Sequence, residues 1–312
     1  MASKAVKAPS KSHREGVTLL ALKDIFPNEE SAVEWFESQM RGDTRCCGHC
    51  GSVRSQAASH ARMPYWCSDC RSYFSVRTGT ALERSHVPLR KWAMAIYLET
   101  TSLKSVSSMK LHRDIGVSQP TAWFMLHRIR EGWKQSGGGQ FSGPDEVDET
   151  YFGGKRRNIQ KSKREQLSGR GAVGKTAVVG AKDRKTNQVA AKAVTSTNKD
   201  ILQGFVKRHS AKDATVYTDD APVYDSLPLD HKAVKHSVAE YVRGQAHSNG
   251  IESFWAVLKR AHKGTFHKLS PKHLNRYVTE FAGKHKVRAL DTLAQMAALV
   301  AGLAGKRRCV AI

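Results

Sequence analysis

Three acidic residues in separate local patterns are the strongest chemical signal in this chain. Asp148 lies in Val147-Asp148-Glu149-Thr150-Tyr151-Phe152-Gly153-Gly154, Asp219 in Val216-Tyr217-Thr218-Asp219-Asp220, and Glu252 in Asn249-Gly250-Ile251-Glu252-Ser253-Phe254-Trp255. The first two sit in runs with strand character, and the third opens a helical run. Carboxylates that converge repel one another, and at least one pKa rises unless cations join them. Mg²⁺ or Mn²⁺ suits such a site, because hard ions prefer carboxylate, phosphate and water oxygens. A pair of these ions can activate an oxygen nucleophile and neutralise charge at a phosphodiester. The expected arrangement has Asp148 bridging two ions, with Asp219 and Glu252 each holding one. Each position has local competitors. Asp145, Glu146 and Glu149 flank Asp148, and strand alternation puts Glu146 and Asp148 on one face. Asp220 adjoins Asp219, and Asn249-x-x-Glu252 also reads as a helix capping box. Lys259 follows Glu252 by two helical turns on one face and is a candidate phosphate contact. His247 and His267 are weaker candidates for contact with a substrate or nucleophile.

A second constellation is Cys47-x-x-Cys50 followed by Cys67-x-x-Cys70, a C-x2-C-x16-C-x2-C pattern. Each two-residue gap lets one knuckle present two thiolates to one ion, and four thiolates favour tetrahedral Zn²⁺. Cys46 and His49 are alternative ligands nearby, whereas Cys309 stands alone and reads as an inert thiol.

The elements that position these residues follow from charge and periodicity. The chain has 312 residues, 40% of them hydrophobic, so it can bury a core. Its 51 Lys+Arg against 28 Asp+Glu give a formal charge of +23, which favours a polyanionic partner. No run approaches the ~18 apolar residues that span a bilayer. Met1 to Arg14 is basic and lacks the apolar stretch of a secretory signal. The expectation is a cytoplasmic, nucleoid-associated protein with no membrane partner.

Residues 17–41 read as helical, and short strands are expected around Tyr65 and Phe74 beside the cysteine knuckles. Residues 88–133 read as helices, with Gly116 in a turn and Ser118 capping a helix that holds Trp123, Leu126, His127, Arg128 and Arg130. A helix-turn-helix of this kind could enter a DNA major groove, and an ordinary helical hairpin would look similar. A Gly-rich stretch, Gly137-Gly138-Gly139, reads as a linker. Beyond it come strands at 146–152, 175–181 and 188–195, a helix at 198–209, strands at 214–218 and 232–238, and helices at 248–262 and 271–281. Three meandering strands, then alternating helix and strand, is the order of a ribonuclease-H-like α/β fold. Between Lys155 and Lys185 lie eleven Lys/Arg against two acids, a basic segment suited to a DNA backbone. The apolar run from Thr292 to Leu303 reads as a packing or dimer helix.

Taken together, these residues resemble the zinc-ribbon-bearing DDE transposases of bacterial insertion sequences over about residues 17–290. The resemblance is carried by the cysteine knuckles with Phe74-Ser75-Val76-Arg77-Thr78-Gly79-Thr80 and Pro88-Leu89-Arg90-Lys91-Trp92. It continues through Thr121-Ala122-Trp123, Asp148 to Lys155, Thr218-Asp219, His247 to Arg260, and His273 to Phe281. It implies DNA-mediated transposition, with Asp148 and Asp219 as the first two catalytic acids. For the third, the family uses Glu or Asn. Asn249 and Glu252 both lie in the matching stretch, and a charged ligand favours Glu252, with Lys259 as the trailing lysine. Gly283 to Arg288 departs from the Arg and Asn that relatives tend to carry.

The resemblance also implies double-stranded DNA partners, namely terminal repeats and target, and at least a dimer on paired ends. The expected organisation is a basic arm (1–16), a helix with a zinc ribbon (17–80), a helical DNA-binding region (81–136), a linker (137–143), a ribonuclease-H-like catalytic domain (144–290) and a helical tail (291–312). The alternatives are a DNA-binding regulator, a ribonuclease-H-like nuclease or resolvase that cuts without joining ends, and a decayed, inactive copy. The intact acidic triad argues against a regulator.

Overall fold

The computed structural model describes residues 16–42, 44–134, 140–154, 156–165, 172–219, 221–234 and 249–306. In chain order the helices are α1 (Leu19–Ile25), α2 (Glu29–Arg41), α3 (Leu89–Thr101), α4 (Ser108–Ile115), α5 (Gln119–Gly132), α6 (Lys161–Glu165), α7 (Lys199–His209), α8 (Asn249–Ala261), α9 (Pro271–Val287) and α10 (Thr292–Ala301). The strands are β1 (Ser55–Ala57), β2 (Tyr65–Cys67), β3 (Ser72–Phe74), β4 (Asp145–Phe152), β5 (Thr176–Asp183), β6 (Val189–Val194), β7 (Thr215–Asp219) and β8 (Asp230–Val234). The chain divides into two units. One is the sheet-containing segment 136–286; the other combines the N-terminal region up to residue 135 with residues from 287 onward.

In the terminal unit, side-chain caps set the helix starts. Thr18 accepts from the Ala21 N–H, Asn28 from Ser31, Ser107 from Lys110 and Ser118 from Thr121. The start of α3 has no local cap. Glu29 supplies one from α2, accepting the Leu89 N–H at 2.6 Å and the Arg90 N–H at 3.0 Å. Gly116 takes the left-handed conformation (φ 62°) that ends α4 and turns the chain into α5, as expected for a helix-turn-helix shape. The second helix departs from the expectation, because Met125 to Gly132 are all buried. Leu126, His127, Arg128 and Arg130 are therefore not available to a groove in this conformation. In α5 only residues before Met125 retain exposure, and the start of the helix is the part that reads bases in such motifs.

The core of this unit gathers Phe26, Phe36, Trp92, Ile96, Leu111 and Ile129; α10 contributes Met296, Leu299 and Val300, and Leu303 follows just beyond it. The apolar C-terminal run is thus core here. Backbones touch where α5 meets the end of α10: a Cβ on Gly302 would lie 2.1 Å from the Gly132 carbonyl oxygen. No side-chain rotation relieves a clash with backbone. Gly302→Ala is expected to cost about 1–3 kcal/mol, read as a lowered Tm in calorimetry. An unchanged Tm would mean the crossing is not this tight.

The small sheet β1-β2-β3 is antiparallel, with Tyr65 and Phe74 paired on its inner face. Arg41, at the end of α2, donates to the carbonyls of Ser75 (2.9 Å) and Thr78 (3.2 Å), and also to that of Cys46, so one guanidinium fastens both ribbon loops.

In the other unit the five-stranded sheet runs β6-β5-β4-β7-β8. Strands β4, β5 and β6 pair antiparallel; β7 and β8 join parallel on the other side of β4. Alternation sorts the sheet into two faces. Val147, Val179, Ala181 and Val216 pack with Leu202, Phe205 and Val206 of α7. Phe152 and Val178 pack with Ile251, Trp255 and Leu258 of α8 and with Leu274 and Val278 of α9. Two strands are longer or shifted relative to the sequence reading. β5 runs to Asp183, because Asp183 is fully paired opposite Asp145, and β8 begins at Asp230. Residues 235–248, with the rest of the expected fifth strand, His247 and the capping context of Asn249, lie outside the described residues, as do Asp220, Cys309 and Gly137–Gly139.

Candidate active site

Asp148 sits midway along the central strand β4, on the face covered by α8. Opposite it in β5 is Gly180, where a Cβ would lie 2.7 Å from the Trp255 ring and 3.2 Å from Ile251. The missing side chain lets α8 lie flat on the sheet, which carries Glu252 toward the Asp148 carboxylate. Asp219 ends β7, the parallel neighbour of β4. Three separate elements, β4, β7 and α8, thus carry the three acids.

The electrostatics register this convergence. Burial, then the charges of Asp219 and Glu252, push the Asp148 carboxyl up to about 6, opposed by the Glu149 backbone N–H, which donates to Asp148 Oδ1 at 2.8 Å. The Trp255 indole N–H is close enough to favour the Asp148 anion slightly, although the pair does not meet hydrogen-bond geometry. Glu149 points to the opposite face, where the Tyr224 hydroxyl donates to it. Burial, then Asp148 and Asp219, push Glu149 up to about 7. Asp145 is fully buried, and burial pushes it up to about 6. Asp148 and Asp219 are half-buried and Glu252 is exposed, and among the described residues these three carboxylates do not form a group of close ligand atoms; their oxygen-only donors would suit Mg²⁺ or Mn²⁺.

The remaining candidates are less central. Lys259 lies exposed near the end of α8, and His267 follows the helix in a left-handed turn (φ 58°). Asn249 is the first residue of α8. In the basic segment 155–185, α6 is a single short helix with exposed Lys161.

The four thiols form a second site. Cys47, Cys50, Cys67 and Cys70 have ligand atoms all within 4.8 Å of one another, the one such group of three or more possible ligands among the described residues. Their Sγ atoms are 3.6 Å apart for Cys47–Cys70 and 3.7 Å for Cys50–Cys67. A tetrahedron with Zn–S bonds near 2.3 Å has edges of about 3.8 Å, so the cluster fits a structural zinc. The Cys70 and Asp69 backbone N–H groups pull the Cys67 thiol down to about 7, toward the thiolate that binds metal. Cys46 stands outside the cluster, and His49 is within 3.3 Å of the Tyr73 carbonyl.

Residues 140–284 match the ISXO2-like transposase domain. Over 240 residues the chain is 32% identical to an uncharacterized protein in transposable element ISH50 of Halobacterium salinarum, spanning 72% of this chain and 78% of that protein. The chain belongs to the insertion-sequence transposases of the DDE family.

Asp148, Asp219 and Glu252 all lie inside the transposase domain, and the four cysteines lie before it. One residue of this transposase that the sequence alone left as a mere competitor is Glu146. Its carboxylate is buried, accepts from Arg184 Nε at 2.7 Å and accepts the Ile251 backbone N–H at 2.8 Å. The available signal was its position two residues before Asp148 on the same strand face, together with Gly250 in the first turn of α8.

Proposed function

We propose that this transposase cuts and joins DNA at a site formed by Asp148, Asp219 and Glu252, in a ribonuclease-H-like catalytic domain spanning residues 144–290. The observation that carries the reading is the placement of Asp148 on β4, Asp219 at the end of the parallel neighbour β7 and Glu252 on the α8 helix that covers this face, where the charges of the other two acids act on Asp148. Acids contributed by β4, β7 and α8 share one region, and the sheet order with its antiparallel and parallel halves supports the ribonuclease-H-like assignment.

When bound, two divalent ions would supply the activated oxygen and the charge neutralisation that phosphodiester chemistry needs. The protein's own contribution is positional. Asp148 sits on the most enclosed strand, so its carboxylate is held rigidly and partly desolvated. Glu252 is presented by a helix locked onto Gly180. Trp255 and Ile251 exclude water from beneath the site. The basic segment 155–185 and the first turn of α5 are the surfaces assigned to DNA. The terminal repeats of the element and a target duplex are the expected partners, with a dimer or larger assembly holding paired ends.

The test is repeat-dependent DNA cleavage. Purified protein with Mn²⁺ or Mg²⁺ should nick a plasmid bearing the flanking repeats of its genomic copy and join the freed ends. Asp219→Asn and Glu252→Gln should each abolish both steps while leaving repeat binding intact. Repeat binding without cleavage in the unaltered protein would sink the reading and favour a regulator or a decayed copy.

A further inference from the structure

We propose that Glu146 is a positioning residue: its buried carboxylate ties the strand carrying Asp148 to the first turn of the helix carrying Glu252. The proposal rests on the reading of Glu252 as a metal ligand. The first N–H groups of a helix have no partner within it, and they must be satisfied from elsewhere. In α8 the Ile251 N–H is satisfied by Glu146 Oε2, 105 residues away in sequence, at 2.8 Å. Glu146 Oε1 is engaged by Arg184 at 2.7 Å, and the Glu146 side chain is only 2% exposed. Both oxygens are used within the protein, so Glu146 itself is not aimed at a cation.

Gly250 lets the tether lie close to the helix. A Cβ there would lie 2.6 Å from Glu146 Oε2 and 2.5 Å from Lys182 Nζ, so a larger residue would make these two side-chain ends shift. Lys182 is the register partner of Glu146 across β4 and β5. Arg184 also stacks over Tyr217 of β7, 4.2 Å from the ring, so the anchor reaches the strand that ends in Asp219. One side chain therefore sits between all three elements that carry the acids. Glu146 precedes Asp148 by two residues, and Ile251 precedes Glu252 by one. A small displacement at the tether moves Glu252 relative to Asp148 directly.

Glu146→Gln keeps the shape but places an amide donor against either Arg184 or the Ile251 N–H. In metal-free protein, hydrogen exchange at the first turn of α8 is expected to accelerate at least about tenfold. Mn²⁺ binding measured by calorimetry should weaken by roughly 10–100-fold, the usual effect of losing a residue that orients a ligand. Val206→Ala, in the core under α7, serves as the control for a general loss of stability and should change neither readout. If Glu146→Gln lowers Tm but matches Val206→Ala in exchange and Mn²⁺ affinity, the proposal is overturned. Should Glu146→Gln fail to fold, Glu146→Asp, shorter by one methylene, is read in the same way. Unchanged Mn²⁺ affinity in Glu252→Gln overturns the metal-site reading and this proposal together. Unchanged affinity in Glu146→Gln alone overturns only this one.

Discussion

Asp148→Asn is expected to raise the melting temperature of the metal-free protein at neutral pH while removing its ability to cut DNA. The folded carboxyl titrates near 6 rather than 3.8, chiefly from burial and secondly from Asp219, so the folded chain holds that proton more tightly than the unfolded chain does. Below the unfolded value both states are protonated and no penalty exists. As pH rises from about 4 to about 6 the folded state alone resists ionisation, and wild-type stability falls relative to the variant. Above the folded value the difference is constant, on the order of 1–3 kcal/mol for a shift of about two units. Asn keeps the shape and removes the charge, so the variant should be the more stable protein in chelator at pH 7.5. Added Mn²⁺ should then raise the wild-type Tm and leave the variant unmoved. The loss of transition-state charge stabilisation is several kcal/mol, or on the order of 10³-fold in rate. Melting curves at pH 4, 5, 6 and 7.5, paired with a nicking assay, test both halves. A variant less stable than wild type in chelator at pH 7.5 would refute the crowding argument.

The second large effect concerns zinc. Purified protein is expected to carry one zinc per chain, and a strong chelator should unfold the segment from Cys47 to Phe74. That segment has three-residue strands and an inner cluster of little more than Phe74, Tyr65 and the cysteines. Such a core cannot offset the entropy of ordering the segment, whereas a structural zinc contributes roughly 10–16 kcal/mol of apparent binding energy in small domains. Cys67→Ser should reproduce the effect, since Cys67 is the fully buried ligand. Hydrogen exchange gives the decisive readout. Protection should vanish from β2 and β3 while the five-stranded sheet stays protected. Retained protection of β2 in chelator, with no zinc in the sample, would show that the thiols are merely core residues.

These two sites were legible in the sequence to different degrees. The cysteine cluster was fully legible, because two knuckles are local patterns whose spacing carries the geometry. The acids were candidates one at a time. The convergence proposed for them depends on β7 pairing parallel beside β4 and on α8 lying over Gly180, long-range facts with no local signature. Glu146 shows the limit most clearly: alternation placed it on the same face as Asp148, but its partner is a backbone amide 105 residues away. No local pattern in Asn249-Gly250-Ile251-Glu252 announces that the Ile251 N–H is met by an acid from the sheet. The terminal unit uses the same arrangement, where Glu29 caps α3 from α2. The helix-turn-helix was legible in outline through Gly116 and Ser118. Its burial was not, because tertiary contacts decide which side of a helix remains in water.

The place of α10 in the core of the terminal unit has a consequence for synthesis. Met296, Leu299 and Leu303 complete a core begun by Leu22 and Phe36, so the catalytic segment is an insertion between the two halves of another unit. On the ribosome the catalytic segment can close as soon as it emerges, whereas the helices made first must wait for nearly three hundred residues. A stop within α10 would leave those early helices without Met296, Leu299 and Val300. A truncated product would therefore keep the five-stranded sheet but lose the packing of the other unit.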